Sequence, residues 1–243
     1  MLEIIIIVAI AAVLIILLSK IPQAKLKPLL KVKKPNQKET GSSKEIEDLK
    51  EEEKIDEARD KKIEHLLNKA ESLFKKKEFK KSEENFIKAI GLDPKNTRAY
   101  NGLGIIYLEQ NNYKDAENSF REATKLDPEN SNFHNNLGLA LYNQDSFKKA
   151  AEAYKKAAQF EPASAKKWIS LGLCYKSCEE LLKSQEAFQK AVDIEPNNLE
   201  YLHLLVSVLL KLDNFKLAKK YLKIILKLDP ENVEAKRELL RLK

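Results

Sequence analysis

The chain has 243 residues, 43% of them hydrophobic and 33% charged, with a formal net charge of +7. That apolar share excludes a wholly disordered chain, and six Gly with eight Pro leave little turn material for a sheet protein, so long helices are expected. Two Cys, Cys174 and Cys178, are too few for a disulfide framework and stand beside no cluster at metal-ligand spacing, which points to a reduced protein without bound metal.

From Ile4 to Leu18 there is no polar side chain, and with Leu2 and Ile21 the stretch approaches the roughly 20 residues that cross a bilayer core. Glu3 precedes this run and the lysines follow it, the reverse of a cleaved signal peptide, so residues 1–21 are read as an uncleaved transmembrane anchor. Lys20, Lys25, Lys27, Lys31, Lys33, Lys34 and Lys38 then face one acid, Glu39. Lysines flanking a span mark its cytoplasmic side, which puts the remainder of the chain in the cytoplasm of a single-pass membrane protein. The same lysines suit anionic headgroups, at about 1 kcal/mol each near the surface. Nucleic acid is not expected, because the basic run abuts the span and has no interleaved aromatics. Pro22, Pro28, Pro35 and Gly41 make residues 22–42 an extended linker.

Ser42-Ser43-Lys44-Glu45 has the form of a capping box and predicts a helix start. Residues 43–62 are dense in charge around a thin apolar set of Ile46, Leu49, Ile55 and Ala58, the pattern of a spacer helix with little to bury.

Beyond residue 62 the chain follows a ruler. Pro94, Pro128, Pro162, Pro196 and Pro230 stand 34 residues apart, each after an acidic residue. A fixed period of this size marks one supersecondary unit stacked several times, here over 63–96, 97–130, 131–164, 165–198 and 199–232. Each repeat carries two apolar sets at helical spacing separated by a break. Repeat two has Tyr100, Leu103, Gly104 and Tyr107, then Ala116, Phe120 and Ala123. Repeat three has His134, Leu137, Gly138 and Leu141, then Ala150, Tyr154 and Ala157. Repeat four has Trp168, Leu171, Gly172 and Tyr175, then Ser184, Phe188 and Ala191.

These positions resemble the tetratricopeptide repeat, with its Trp-x-x-Leu-Gly-x-x-Tyr run followed by Ala, an aromatic, Ala and Pro. The resemblance implies an all-α, right-handed α-solenoid of five helix-turn-helix repeats, preceded by the transmembrane helix. Gly and Ala at the helix crossings admit close approach, and the aromatics fill the space between repeats. Asn111, Asp145 and Asp213 hold the turn position, where a left-handed residue is tolerated. Asn96, Asn130, Ser164, Asn198 and Asn232 are the expected N-caps. Repeat one departs with Lys69 and Ser82, and repeat five with Val206 and Ile225, so the helices of repeat five should pack less closely. Residues 233–243, with Val233, Leu239, Leu240 and Leu242, form the expected capping helix. The first helix of repeat five is apolar nearly all round through Leu204, Val208, Leu210 and Leu212, and needs cover from that cap or from a second copy of the chain.

No catalytic, cofactor-binding or metal-binding constellation emerges: there is no phosphate-cradling loop, and His65, His134 and His203 take different positions in three repeats. Cys174 holds a small-residue core position, and the sole Trp, Trp168, a packing position. The family's role is to hold a partner segment along the groove lined by first helices. Here one helical face, opposite the packing set, carries Arg98, Asn101, Ile105 and Leu108; then Asn132, Asn135, Leu139 and Tyr142; then Lys166, Ile169, Leu173 and Lys176. Such a floor, apolar with amides along it, suits an extended or helical peptide of a protein partner. The clamp with which some members grip an acidic C-terminus is matched only at Asn136 and Lys166. The resulting expectation is a membrane-anchored, non-catalytic adaptor, with the Lys, Asn and Ile bias of a low-GC bacterium. The alternatives are a periplasmic subunit of a bacterial envelope or secretion assembly, and a regulatory subunit of a membrane enzyme.

Overall fold

The computed structural model describes residues 43–242. The expected span over 1–21, the basic linker over 22–42 and the first serine of the capping box lie outside the described residues. Among the described residues no helix is long and apolar enough to cross a membrane. The chain divides into two units, Met1–Glu57 and Ala58–Lys243. In the first, residues 43–57 are helical.

The described residues form helices and no strand. α1 spans Ser43–Lys75, so no break separates the expected spacer from the first helix of repeat one. The other helices are α2 (Phe79–Leu92), α3 (Thr97–Glu109), α4 (Tyr113–Leu126), α5 (Ser131–Tyr142) and α6 (Phe147–Phe160). They are followed by α7 (Ala165–Ser177), α8 (Leu181–Ile194), α9 (Leu199–Lys211), α10 (Phe215–Leu228) and α11 (Val233–Arg241). The result is an all-α helical repeat solenoid, with a first and a second helix in each 34-residue repeat.

Every first helix ends in the same way. Lys77, Asn111, Asp145, Glu179 and Asp213 have φ between 53° and 61°. The amide after each reaches back five residues, as Asn112 N–H does to Tyr107 O at 2.8 Å and Glu180 N–H to Tyr175 O at 2.9 Å. This is the Schellman closure, which satisfies carbonyls that a helix end leaves bare. Asn and Asp were expected at three of these positions. Lys77 and Glu179 were not, and they adopt the left-handed conformation because two backbone hydrogen bonds close around it, as at Asn111. Of the expected N-caps, Asn96, Asn130, Asn198 and Asn232 accept backbone amides with their side chains, whereas the Ser164 hydroxyl makes no capping bond.

The helix crossings are tight for a visible reason. A methyl group built on Gly104 would lie 2.4 Å from the Phe120 ring, and one on Gly172 2.4 Å from the Phe188 ring. Where Ser replaces Ala in the second helix, its buried hydroxyl finds a carbonyl of the first: Ser82 Oγ donates to Ala70 O at 2.7 Å, and Ser184 Oγ to Gly172 O at 2.8 Å. Repeat five solves the same crossing differently, burying Val206 and Leu222 where repeats two and four place Gly and Phe, with Ile225 fully buried beside them.

Successive repeats are keyed by a second recurrent bond. Trp168 Nε1 donates to Pro162 O at 2.9 Å, and His134 Nε2 lies 2.7 Å from Pro128 O, each six residues back across the boundary. At the C-terminus, α11 packs Leu239, Leu242 and the buried Ala235 onto the repeat-five core, which also takes in Leu204, Leu210 and Leu212. These cap residues stand at i, i+4 and i+7 and form one stripe. Val233 (75% exposed) and Leu240 (63%) lie off that stripe, so the expected cap set is corrected to Ala235, Leu239 and Leu242.

Candidate partner-binding face

The twelve side chains expected on the first-helix face fall into three groups. Some are consumed by neighbouring repeats. Arg98 donates from Nε to Glu71 Oε1 at 2.6 Å, from Nη1 to Glu64 at 3.0 Å and from Nη2 to Asn68 Oδ1 at 2.9 Å, fastening α3 to α1. The hydrogen bond from Arg98 holds the Glu71 carboxyl below its ordinary range. Asn101 accepts from Asn136 Nδ2 at 3.0 Å. Asn132 accepts from Lys167 Nζ at 3.2 Å, and Lys176 Nζ donates to Ser207 Oγ at 3.2 Å.

Others form the floor. Ile169 is only 8% exposed and belongs to the core, so it supports the face and does not line it, a correction to the sequence reading. Ile105, Leu108 and Leu173 are half-buried against the cores of adjacent repeats. The third group stays open. Leu139 is 39% exposed, Lys166 is exposed, and Asn135 is half-buried with an amide that makes no hydrogen bond among the described residues. Tyr142 stands between the groups: its ring meets Phe147 edge-on at 5.1 Å, while its hydroxyl lies 3.3 Å from Ser177 Oγ.

Three of the polar contacts share an offset that the position-by-position reading missed. Asn101 to Asn136, Asn132 to Lys167 and Tyr142 to Ser177 are all 35 residues apart. A side chain on one first helix thus meets the residue one place beyond its equivalent on the next. Lys167, not singled out from the sequence, is buried at 6% exposure and also binds Glu161 Oε2 at 2.6 Å, which in turn accepts from Ser131. Compensation of this kind is what lets a lysine be buried. Next to the ladder, Glu71, Phe74, Phe86, Arg98, Asn101 and Ile105 line a cavity of about 230 Å³.

The arrangement offers amides, an apolar side chain and a cation for non-covalent capture. Cys174 is fully buried, and burial pushes its thiol up to about 12, away from reactive thiolate character. Among the described residues no group of three His, Cys, Asp or Glu side chains is placed to hold a metal ion.

Family models described as tetratricopeptide repeat match residues 62–129, 103–165, 165–198 and 199–232. No curated protein matches the sequence. Among solved structures, YrrB, described as a TPR protein with an unusual peptide-binding site, is 21% identical, with a TM-score of 0.62 over 71% of this chain and 89% of that one. PilF from Pseudomonas aeruginosa is 20% identical, with a TM-score of 0.61 over 76% and 84%. MamA from Desulfovibrio magneticus RS-1 is 22% identical, with a TM-score of 0.63 over 71% and 97%. At these identities the likeness speaks to the fold alone.

Proposed function

The chain belongs to the tetratricopeptide repeat family through residues 62–232, and from that premise we propose a non-catalytic adaptor that holds a peptide segment of a protein partner against α3, α5 and α7. One observation carries the reading. Asn135, Leu139 and Lys166 stay open on consecutive first helices, while the cross-repeat hydrogen bonds immobilise the side chains around them. A preorganised face loses less freedom on binding than a mobile one. The Asn135 amide can pair with a peptide backbone, and Leu139 beside Tyr142 gives an apolar contact. That YrrB is described as having a peptide-binding site supports a peptide as the ligand class.

Anchorage of the adaptor in a membrane, with the repeats on the cytoplasmic side, rests on the apolar run Ile4 to Leu18 and the lysines after it. Crosslinking and pulldown from cells test the binding face. Asn135→Ala combined with Leu139→Glu should abolish capture of partners that Lys227→Ala on α10 leaves unchanged, with the melting temperature preserved. Partners retained by the double variant would refute the face. A phosphatase reporter fused after Lys243 should be inactive, and an active one would place the repeats outside the cytoplasm.

A further inference from the structure

Two surface grooves on the opposite side of the repeats are copies of one another, displaced by 34 residues. The first, of about 350 Å³, has Leu137 and Leu141 in its floor with His134 beside them, and Arg121, Lys149 and Lys156 in its walls. The second, of about 390 Å³, has Leu171, Tyr175 and Trp168 at the corresponding positions, and Lys155, Lys183 and Lys190 in its walls. Each also carries one carboxylate, Glu152 in the first and Glu186 in the second. Helix α6 is the wall they share.

Not all of the cations are free. Arg121 is bonded to Glu117 at 2.8 Å, and Lys183 to Glu180. Lys149, Lys156, Lys155 and Lys190 are exposed and make no ion pair among the described residues. The pattern does not continue into the adjacent repeats, although Lys81 and Lys88 hold the same two positions in repeat one. The positions of Lys149 and Lys156 are Asp115 and Glu122 one repeat earlier, and those of Lys183 and Lys190 are Leu217 and Ile224 one repeat later.

The geometry points to a second binding site here, separate from the first-helix face: two basic grooves flanking α6 that take the side-chain carboxylates of an acidic, Glu- and Asp-rich segment of a partner protein. Lysines without an ion pair, over an apolar floor, complement such a chain, and Glu152 and Glu186 accept its backbone amides. The grooves fit nucleic acid poorly, because base stacking needs an open aromatic face. Lys190 Nζ covers the Trp168 ring at 4.1 Å, and the His134 ring is stacked on Phe160 at 5.6 Å. A carboxylate within each groove also repels a phosphate track.

Trp168, the sole Trp, lines the second groove and reports on it directly. Titrating the full-length chain with a deca-glutamate peptide should change Trp168 emission saturably, with an affinity that falls as salt rises. By anisotropy of the labelled peptide, Lys149→Glu with Lys156→Glu, and separately Lys155→Glu, should each weaken binding about tenfold or more. Lys216→Glu with Lys223→Glu on α10 alters charge equally and should change affinity by less than about twofold. Should the charge reversals perturb folding, Lys149→Gln with Lys156→Gln gives the same reading. An equal loss from the α10 pair would reduce the effect to bulk charge. Tighter binding of duplex DNA or phosphatidylglycerol vesicles, lost with the same α6 variants, would overturn the peptide assignment. The Asn135→Ala and Leu139→Glu variant should leave deca-glutamate binding intact, which separates this site from the first-helix face.

Discussion

Replacing Gly172 by Ala puts opposing forces on one helix. Ala is favoured over Gly in a helix interior by about 1 kcal/mol. At Gly172, however, the new methyl would lie 2.4 and 2.5 Å from two atoms of the Phe188 ring, which is fully buried. Overpacking of this kind costs about 1 to 3 kcal/mol. The net expectation is destabilisation by up to about 2 kcal/mol once the propensity gain is subtracted. Gly91 provides the opposite case. A methyl built there meets nothing within 4 Å, so the same substitution should stabilise by up to about 1 kcal/mol. Repeat five suggests the rescue, since it already combines a larger residue, Val206, with a smaller partner, Leu222, at equivalent positions. Phe188→Leu, costing roughly 1 kcal/mol alone, should cost less in the Gly172→Ala background, with a coupling of about 1 kcal/mol between contacting sites. Urea denaturation followed by far-ultraviolet dichroism and Trp168 emission measures the four variants against the unaltered protein. Equal effects of Gly172→Ala and Gly91→Ala, or strict additivity of the double variant, would refute the reasoning.

Other predictions follow from single features. A maleimide should label Cys178 in the native protein but reach Cys174 only on denaturation, since Cys174 is fully buried and its thiol is pushed up to about 12; peptide mapping identifies the sites. Ending the chain after Asn232 removes Ala235, Leu239 and Leu242 from the repeat-five core and should cost about 1 to 3 kcal/mol, read as an earlier melt. Ser184→Ala should change stability by no more than about 1 kcal/mol, because the hydroxyl bond and its buried donor vanish together and Ala116, Ala150 and Ala218 fill the same position elsewhere. The Glu71 carboxyl is held below its ordinary value of 4.5 by the hydrogen bond from Arg98. A depressed carboxylate contributes stability that is present above 4.5 and lost as pH falls through the folded value, so urea midpoints should decline in that acid window. Arg98→Met should make the decline shallower.

The period of 34 made the helix pairs, the small residues at crossings and most caps legible, because each depends on a position within its own repeat. What remained illegible depends on what faces that position across a boundary. Arg98 reads as a free groove cation until Glu64 and Glu71 of repeat one are placed against it. Ile169 reads as groove floor, yet the stacking of repeat five onto repeat four buries it. Lys167 looks like any surface lysine until Glu161 and Asn132 close around it. Lys77 and Glu179 show the same limit at the backbone, where the hydrogen-bond closure selects the conformation and the side chain follows. Which members of the candidate face stay open is therefore a property of neighbouring pairs.

The hydrogen-bond ladder along the first helices also bears on how the chain responds to load. Among the described residues its longest links join residues 35 apart, one repeat to the next. Each repeat is thus fastened only to its neighbours, and closing any link requires a loop of about one repeat, for which the entropic cost is modest. Tension applied to the two ends of the repeat array would act on these fastenings in series, with repeats one and five as the places where peeling starts. A solenoid so fastened should stretch and recover stepwise as an extensible tether between whatever holds its two ends, losing one increment of length for each repeat that re-docks.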